Sequence, residues 1–249
     1  MPSWSAEHIR LTVFPAQDHR APDPNWWRAL IGREPQAKTV QQGIGIQETG
    51  PFNERCTLSL DLRANRIDWL MAAALPPNDT PSGFPVIDAY PQVFADFRQL
   101  LAGWLPRISS VQRMAIGAIV TAPVADKAVG YRELAPLLPS IRLDPATSSD
   151  FSYSINRHTT SPRACPGLHI NRLSHWAVAQ LMGLQIQIDG SAAGMTMRER
   201  SPGVSVLRLQ LDISTDAERR DNLPNDQLVP LFDELLSFAR NIVERGDVS

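Results

Sequence analysis

The sequence predicts an α+β protein with mixed or mainly antiparallel sheet and helices packed on one side of it. Three observations lead there. Several short stretches alternate apolar and polar residues, the period of a half-buried strand. A few longer stretches repeat at three and four residues, the period of an amphipathic helix. Proline is frequent, with 21 in 249 residues, and it falls between these stretches, where its fixed φ and missing N–H end elements. Repeated βα units are absent, so a doubly wound or barrel plan is rejected.

The elements follow in order. His8 to Phe14 alternates, with Ile9, Leu11 and Val13 on one face, and reads as a strand. Asp23-Pro24 then supplies an N-cap and a first-turn proline for a short helix through Ile31, stopped by Gly32. Its paired Trp26 and Trp27 read as packing residues rather than a ligand platform. Gly43 to Gln47 is a short strand; its Gly-x-Gly lacks the third glycine and the βαβ setting of a phosphate loop. Cys56 to Leu62 and Ile67 to Ala74 form a hairpin about Ala64-Asn65-Arg66. Pro76 to Pro85 is a surface loop. Tyr90 to Leu105 is the clearest early helix, its stripe made by Val93, Phe94, Phe97, Leu100, Leu101 and Trp104. Val111 to Val120 is largely apolar and reads as a central strand covered on both faces. Tyr131 to Leu138 is a short helix.

The second half begins with the polar turn Ser148-Ser149-Asp150 and a strand from Phe151 to Ile155. A loop from His158 to Gly167 follows, then strand starts at Leu168 to Asn171 and a long apolar run from Trp176 to Ile188. A turn from Gly190 to Gly194 leads to a hairpin about Pro202-Gly203, joining Met195–Arg200 to Val204–Ile213. Asn225 to Glu244 is the closing helix. A boundary near residue 144 would give lobes 1–144 and 145–249, unless the chain is one continuous domain.

Composition narrows the function classes. Twenty-four Lys and Arg against 26 Asp and Glu leave a formal charge of -2, so a globally basic nucleic-acid binder is not indicated. Cys56 and Cys165 fit no CxxC or metal spacing and read as free thiols in a reducing compartment. The N-terminus is too polar for a signal peptide, and no apolar run reaches the length of a membrane span. The expected location is cytoplasmic.

The densest chemistry lies between Asp150 and Ala177. Ile155-Asn156-Arg157 is echoed by Ile170-Asn171-Arg172, and three of the five histidines, His158, His169 and His175, lie here. No Asp or Glu occurs from Phe151 to Ile188. If the two tripeptides pair as neighbouring strands, Arg157 and Arg172 share a face, and with Arg163 they could hold phosphate, carboxylate or a nucleic-acid backbone. Tyr153 and Trp176 would be available for stacking. The structural rival is that strand-rich stretches disfavour acids anyway; Phe97 to Ala125 is equally acid-free. The histidine spacing matches no metal motif, and no cofactor is implied. Cys165 lacks a setting that would lower its pKa. No hydrolase, P-loop, metalloprotease or kinase signature occurs.

Several blocks resemble one another's counterparts in a known group. Arg66-Ile67-Asp68-Trp69, Gly130-Tyr131-Arg132, Ser148-Ser149-Asp150-Phe151, Ile155-Asn156-Arg157 and Ile170-Asn171-Arg172-Leu173-Ser174 with Trp176 resemble an uncharacterised, sporadically distributed bacterial protein family of about this length. The resemblance implies a bacterial source. That family has no established activity, so no catalytic residue carries over. The sequence therefore points to a non-enzymatic interaction or accessory protein with a protein partner or its own copy. Its binding residues would be Tyr153, Asn156, Arg157, His158, Arg163, His169, Asn171, Arg172 and Trp176. The alternatives are phosphate-ligand or nucleic-acid binding by the arginines, and an enzyme of unrecognised type using Asp150, Tyr153, Asn156, Arg157, His158 and His169.

Overall fold

A computed structural model describes residues 1–16, 25–74, 83–181, 184–188, 195–199 and 204–247. Strand β1 (Ser5–Pro15) buries Ile9, Leu11 and Val13 completely, as its alternation requires. Helix α1 (Trp26–Ile31) follows; the Asp23-Pro24 start lies outside the described residues, and Gly32 ends the helix in the left-handed conformation. Strands β2 (Ala37–Gln41), β3 (Gly45–Pro51), β4 (Cys56–Arg63) and β5 (Arg66–Ala73) form a meander. Arg63 faces Arg66 across the tight turn of the expected hairpin. The short β6 (Asp88–Ala89) leads into α2 (Tyr90–Ala102).

The second half repeats this plan. It runs through β7 (Val111–Val124), α3 (Lys127–Leu134), β8 (Ser152–Thr160) and β9 (His169–Leu181). The small hairpin β10 (Leu184–Ile188) and β11 (Met195–Glu199) intervenes before β12 (Val204–Thr215) and α4 (Leu228–Arg245). The turns expected at Gly190–Gly194 and Pro202-Gly203 lie outside the described residues.

Among the described residues every pairing is antiparallel, and one sheet of ten strands runs β2-β3-β4-β5-β1-β7-β12-β9-β8, with β6 on β1. Outward from the β1–β7 junction the order is β1, β5, β4, β3 on one side and β7, β12, β9, β8 on the other. Each half meets its strands in the same chain order, so the two halves are related by an approximate two-fold axis through the middle of the sheet. The β10–β11 hairpin is an insertion where the first half has a two-residue turn. The sheet is continuous across residue 144, because β7 before it is hydrogen-bonded to β12 after it.

Two expectations for the second half change. The strand from Phe151 does not stop at Ile155 but continues to Thr160, and the two segments around Asn171 and Trp176 are one 13-residue strand. Polar residues on both faces of β8 hide its alternation from sequence, and hydrogen bonding to β9 extends it.

The helices pack on one face of the sheet. Helix α4 buries Leu228, Leu231, Phe232, Leu235, Leu236, Ala239, Ile242 and Val243. At about 1.5–3 kcal/mol per buried apolar side chain, packing outweighs the marginal stability of an isolated helix. Phe97 of α2 meets Phe232 of α4 edge-on at 6.3 Å. Trp27 stacks on Trp69, and Trp104 sets its edge against both Trp69 and Trp26. The tryptophan pair is core, as expected. Among the described residues no helix is long and apolar enough to cross a membrane.

Candidate functional site

The two INR tripeptides are register partners. Arg157 lies directly opposite Arg172, and His158 opposite Asn171, and among the described residues β8 forms one free edge of the sheet. The alternation of the strands then divides the expected site between two faces. Tyr153, Arg157, Arg172 and Trp176 point to the helix side. Asn156, His158, His169 and Asn171 point to the side that no helix covers among the described residues, where Asn156 Nδ2 donates to Asn171 Oδ1 at 3.3 Å. Arg163 is exposed in the turn between β8 and β9.

The two guanidiniums do share a face, but they do not converge on open solvent. Arg157 donates from Nε and a terminal nitrogen to Asp247, at 2.5 and 2.8 Å. Asp247 is nearly inaccessible and also accepts from Ser140 Oγ at 2.9 Å and the Tyr153 hydroxyl at 3.2 Å. The Arg157 guanidinium, helped by these hydroxyls, holds the Asp247 carboxyl below the usual carboxylate range. Arg172 has no such partner. Its guanidinium carbon sits 5.9 Å from the Phe238 ring centre, and its Nε is buried without a hydrogen bond among the described residues. Burial, with Arg157 adding to it, lowers its pKa, and the Asp247 carboxylate opposes them less strongly. Trp176 is fully buried and its indole N–H donates to Ser174 Oγ at 3.0 Å, so it is a core side chain and not a stacking surface.

The turn after β8 is shaped by Glu234 of α4. Its carboxylate accepts from Ser161 Oγ at 2.5 Å and from the backbone N–H of Arg163 and Ala164, both at 2.8 Å. Between this turn and α4 lies a hollow of about 500 Å³, lined by Pro162, Arg163, Ala164, Phe238 and Asn241 among others. Cys165 borders the same turn, and burial raises its thiol pKa. Among the described residues no group of three or more His, Cys, Asp or Glu could hold a metal.

A second polar cluster escaped sequence reading. It roofs the central strand β7 on the uncovered face. Asp68 accepts from Thr12 Oγ1 at 2.5 Å and pairs with Arg66 at 2.6 Å and Arg10 at 3.8 Å. The Arg10 guanidinium lies across Gly117, where an added Cβ would come within 3.3 Å of it. Gly117 is the register partner of Asp212, whose carboxyl is pushed up by burial and pulled down less strongly by Arg10, Arg113 and Arg66. Arg113 covers the Phe14 ring at 4.5 Å, and Arg208 pairs with Glu7 at 3.3 Å. The sequence signal was present as single charges inside apolar strands, at Arg10, Asp68, Arg113 and Asp212. Only the register shows that they meet.

No protein-family model matches the chain, and neither a curated protein nor a solved structure matches it.

Proposed function

We propose that the chain is an interaction protein that engages a protein partner through the INR end of its sheet. The observation that carries this is the placement of Ile155-Asn156-Arg157 on β8, an edge strand among the described residues, with its echo on the neighbouring β9. A free edge exposes unpaired N–H and C=O groups and is a template for another chain. Strand β8 has no proline, lysine or bulge, and its one inward charge, Arg157, is paired with Asp247. Beside it, the uncovered face presents Asn156, His158 and Asn171 around Leu173, which is 39% exposed. An exposed apolar residue within a polar rim is the anatomy of a contact surface in miniature.

The test is capture from the native host followed by light scattering, with Leu173→Asp as comparison. Loss of the captured partner in this variant supports the reading. Equal capture by parent and variant, or a monomer that captures nothing, overturns it. Phosphate-ligand or nucleic-acid binding by Arg157, Arg163 and Arg172 has less support, because Asp247 already neutralises Arg157.

A further inference from the structure

The opposite edge of the sheet carries a second contact surface, independent of the INR end. We infer that β2 pairs antiparallel with β2 of a second copy of this chain, about a two-fold axis that passes beside Val40.

Among the described residues β2 is bonded to β3 alone, and all five of its residues are exposed. On the helix side the register aligns one apolar row: Val13, Ile67, Leu62, Ile46 and Val40. Cover along this row falls towards the edge. Val13 and Ile67 are inaccessible, Leu62 is buried, Ile46 is half-buried, and Val40 is 66% exposed. Ile44, in the turn beyond, is 58% exposed. After Met1 these two are the most exposed large apolar side chains among the described residues. A hollow of about 160 Å³ stands open between Val40, Ile44, Ile46 and Leu62. The core row thus runs out to the free edge and ends in water, and clustered apolar exposure of this kind marks a contact site.

Charge selects a second copy as the occupant. An edge lysine commonly guards a strand against pairing. Here Lys38 leans back over β3, and its Nζ bonds the buried Glu48 at 2.7 Å, so its charge is matched within its own sheet. Arg63, beside the hollow, is matched by Asp61 at 2.8 Å. The other residues from 37 to 47 are uncharged. Identical surfaces that carry unmatched charge repel each other, and this one carries none.

The side chains then place the axis. An axis at Thr39 sets Val40 opposite Lys38 of the copy. An axis at Val40 sets Val40 against its own counterpart, Thr39 against Gln41 and Lys38 against Gln42. The second choice joins the two apolar rows end to end and brings no like charges opposite each other. With the axis normal to the sheet, both helix layers stay on the same side. A five-residue strand makes a small interface, so the dimer is expected to be weak, with a Kd of about 10–100 μM.

The experiment is sedimentation equilibrium of the whole chain from about 1 to about 500 μM. The mass is expected to rise from one chain to two. Val40→Lys, at an exposed position, should weaken the dimer about tenfold or more with unchanged melting. In a Cys165→Ser background, Val40→Cys should crosslink to its own copy under mild oxidation, and Thr39→Cys, which faces Gln41 of the copy, should not. A monomer across the whole range overturns the inference. So do a dimer indifferent to Val40→Lys, crosslinking through Thr39→Cys in place of Val40→Cys, and growth beyond two chains, the sign of β2 adding to β8 of the next copy. Capture of a different protein that Val40→Lys abolishes, while the pure chain stays monomeric, also overturns it. Val40→Lys should leave capture through the Leu173 surface unchanged, so this inference and the reading of the INR end stand or fall separately.

Discussion

Arg157 and Asp247 are 90 residues apart in the chain, yet the Arg157 Nε lies 2.5 Å from the Asp247 carboxylate. This bond ties the segment after α4 to the edge strand β8. The Asp247 N–H donates to the Leu137 carbonyl at 2.7 Å, so the connection between α3 and β8 is held by the same residue. This edge of the sheet is therefore fastened to the helical layer through Asp247, while Glu234 of α4 holds the turn that follows β8.

Replacing that carboxylate should loosen the edge. Asp247→Asn removes the charge partner of a guanidinium that is 29% exposed on its side chain, so part of the charge can return to water. The expected loss is about 2 kcal/mol, below the figure for a fully buried pair. In a domain of this size that lowers Tm by about 4–8 °C, measurable by calorimetry. The pH dependence has a definite sign. The folded pKa of Asp247 is depressed, so its contribution is present above the unfolded value, near 4, and is lost as pH falls through the folded value. The stability of Asp247→Asn should thus change less than that of the parent in strong acid.

Gly246 makes the link possible. Its φ is 81°, and an added Cβ would strike the Leu137 carbonyl. Gly246→Ala should cost more than the roughly 1–2 kcal/mol of a left-handed non-glycine residue, because the collision adds to it. A lower denaturant midpoint with an unchanged slope is the expected readout.

At the centre of the uncovered face the sign reverses. Burial is the main influence on Asp212 and raises its carboxyl pKa. Its folded form binds a proton more readily than the unfolded chain, so its ionised state weakens the fold as pH rises through the folded value. Asp212→Asn should therefore keep or raise the neutral-pH Tm, within about 1 kcal/mol. Its advantage over the parent should shrink in acid. A clear fall in neutral-pH Tm would show that attraction to Arg10 and Arg113 outweighs burial.

Tyr90 joins α2 to α4 by donating to Glu244 Oε1 at 2.9 Å. Burial first, and this bond second, push its phenol up to about 12. In an absorbance titration read against Tyr90→Phe, the Tyr90 signal should stay silent until that range. Glu244→Gln should bring it down, because the carboxylate charge no longer opposes the phenolate.

Local periodicity carried much of the architecture. β1, the β4–β5 hairpin, α2, β7 and α4 each show one period strongly, because each buries a single continuous stripe or, in β7, both faces. Strands β8 and β9 were harder to delimit because Arg157 and Arg172 occupy helix-side positions where an apolar residue would normally mark the buried face. The sheet order and its approximate two-fold plan depend on pairings between distant strands, which no local period records.

The candidate site divides along the same line. By itself the sequence determined that the INR tripeptides repeat and that two arginines would share a face if their strands paired, since side chains alternate with a period of two. Only the tertiary structure decided which face that is, and that Arg157 bonds Asp247 directly while Arg172 has no carboxylate within salt-bridge distance among the described residues. The physical reason is range: a strand's period is fixed by neighbours one or two residues away, whereas whether a half-buried guanidinium is paired depends on which carboxylate the fold brings to it, here one just after the last helix.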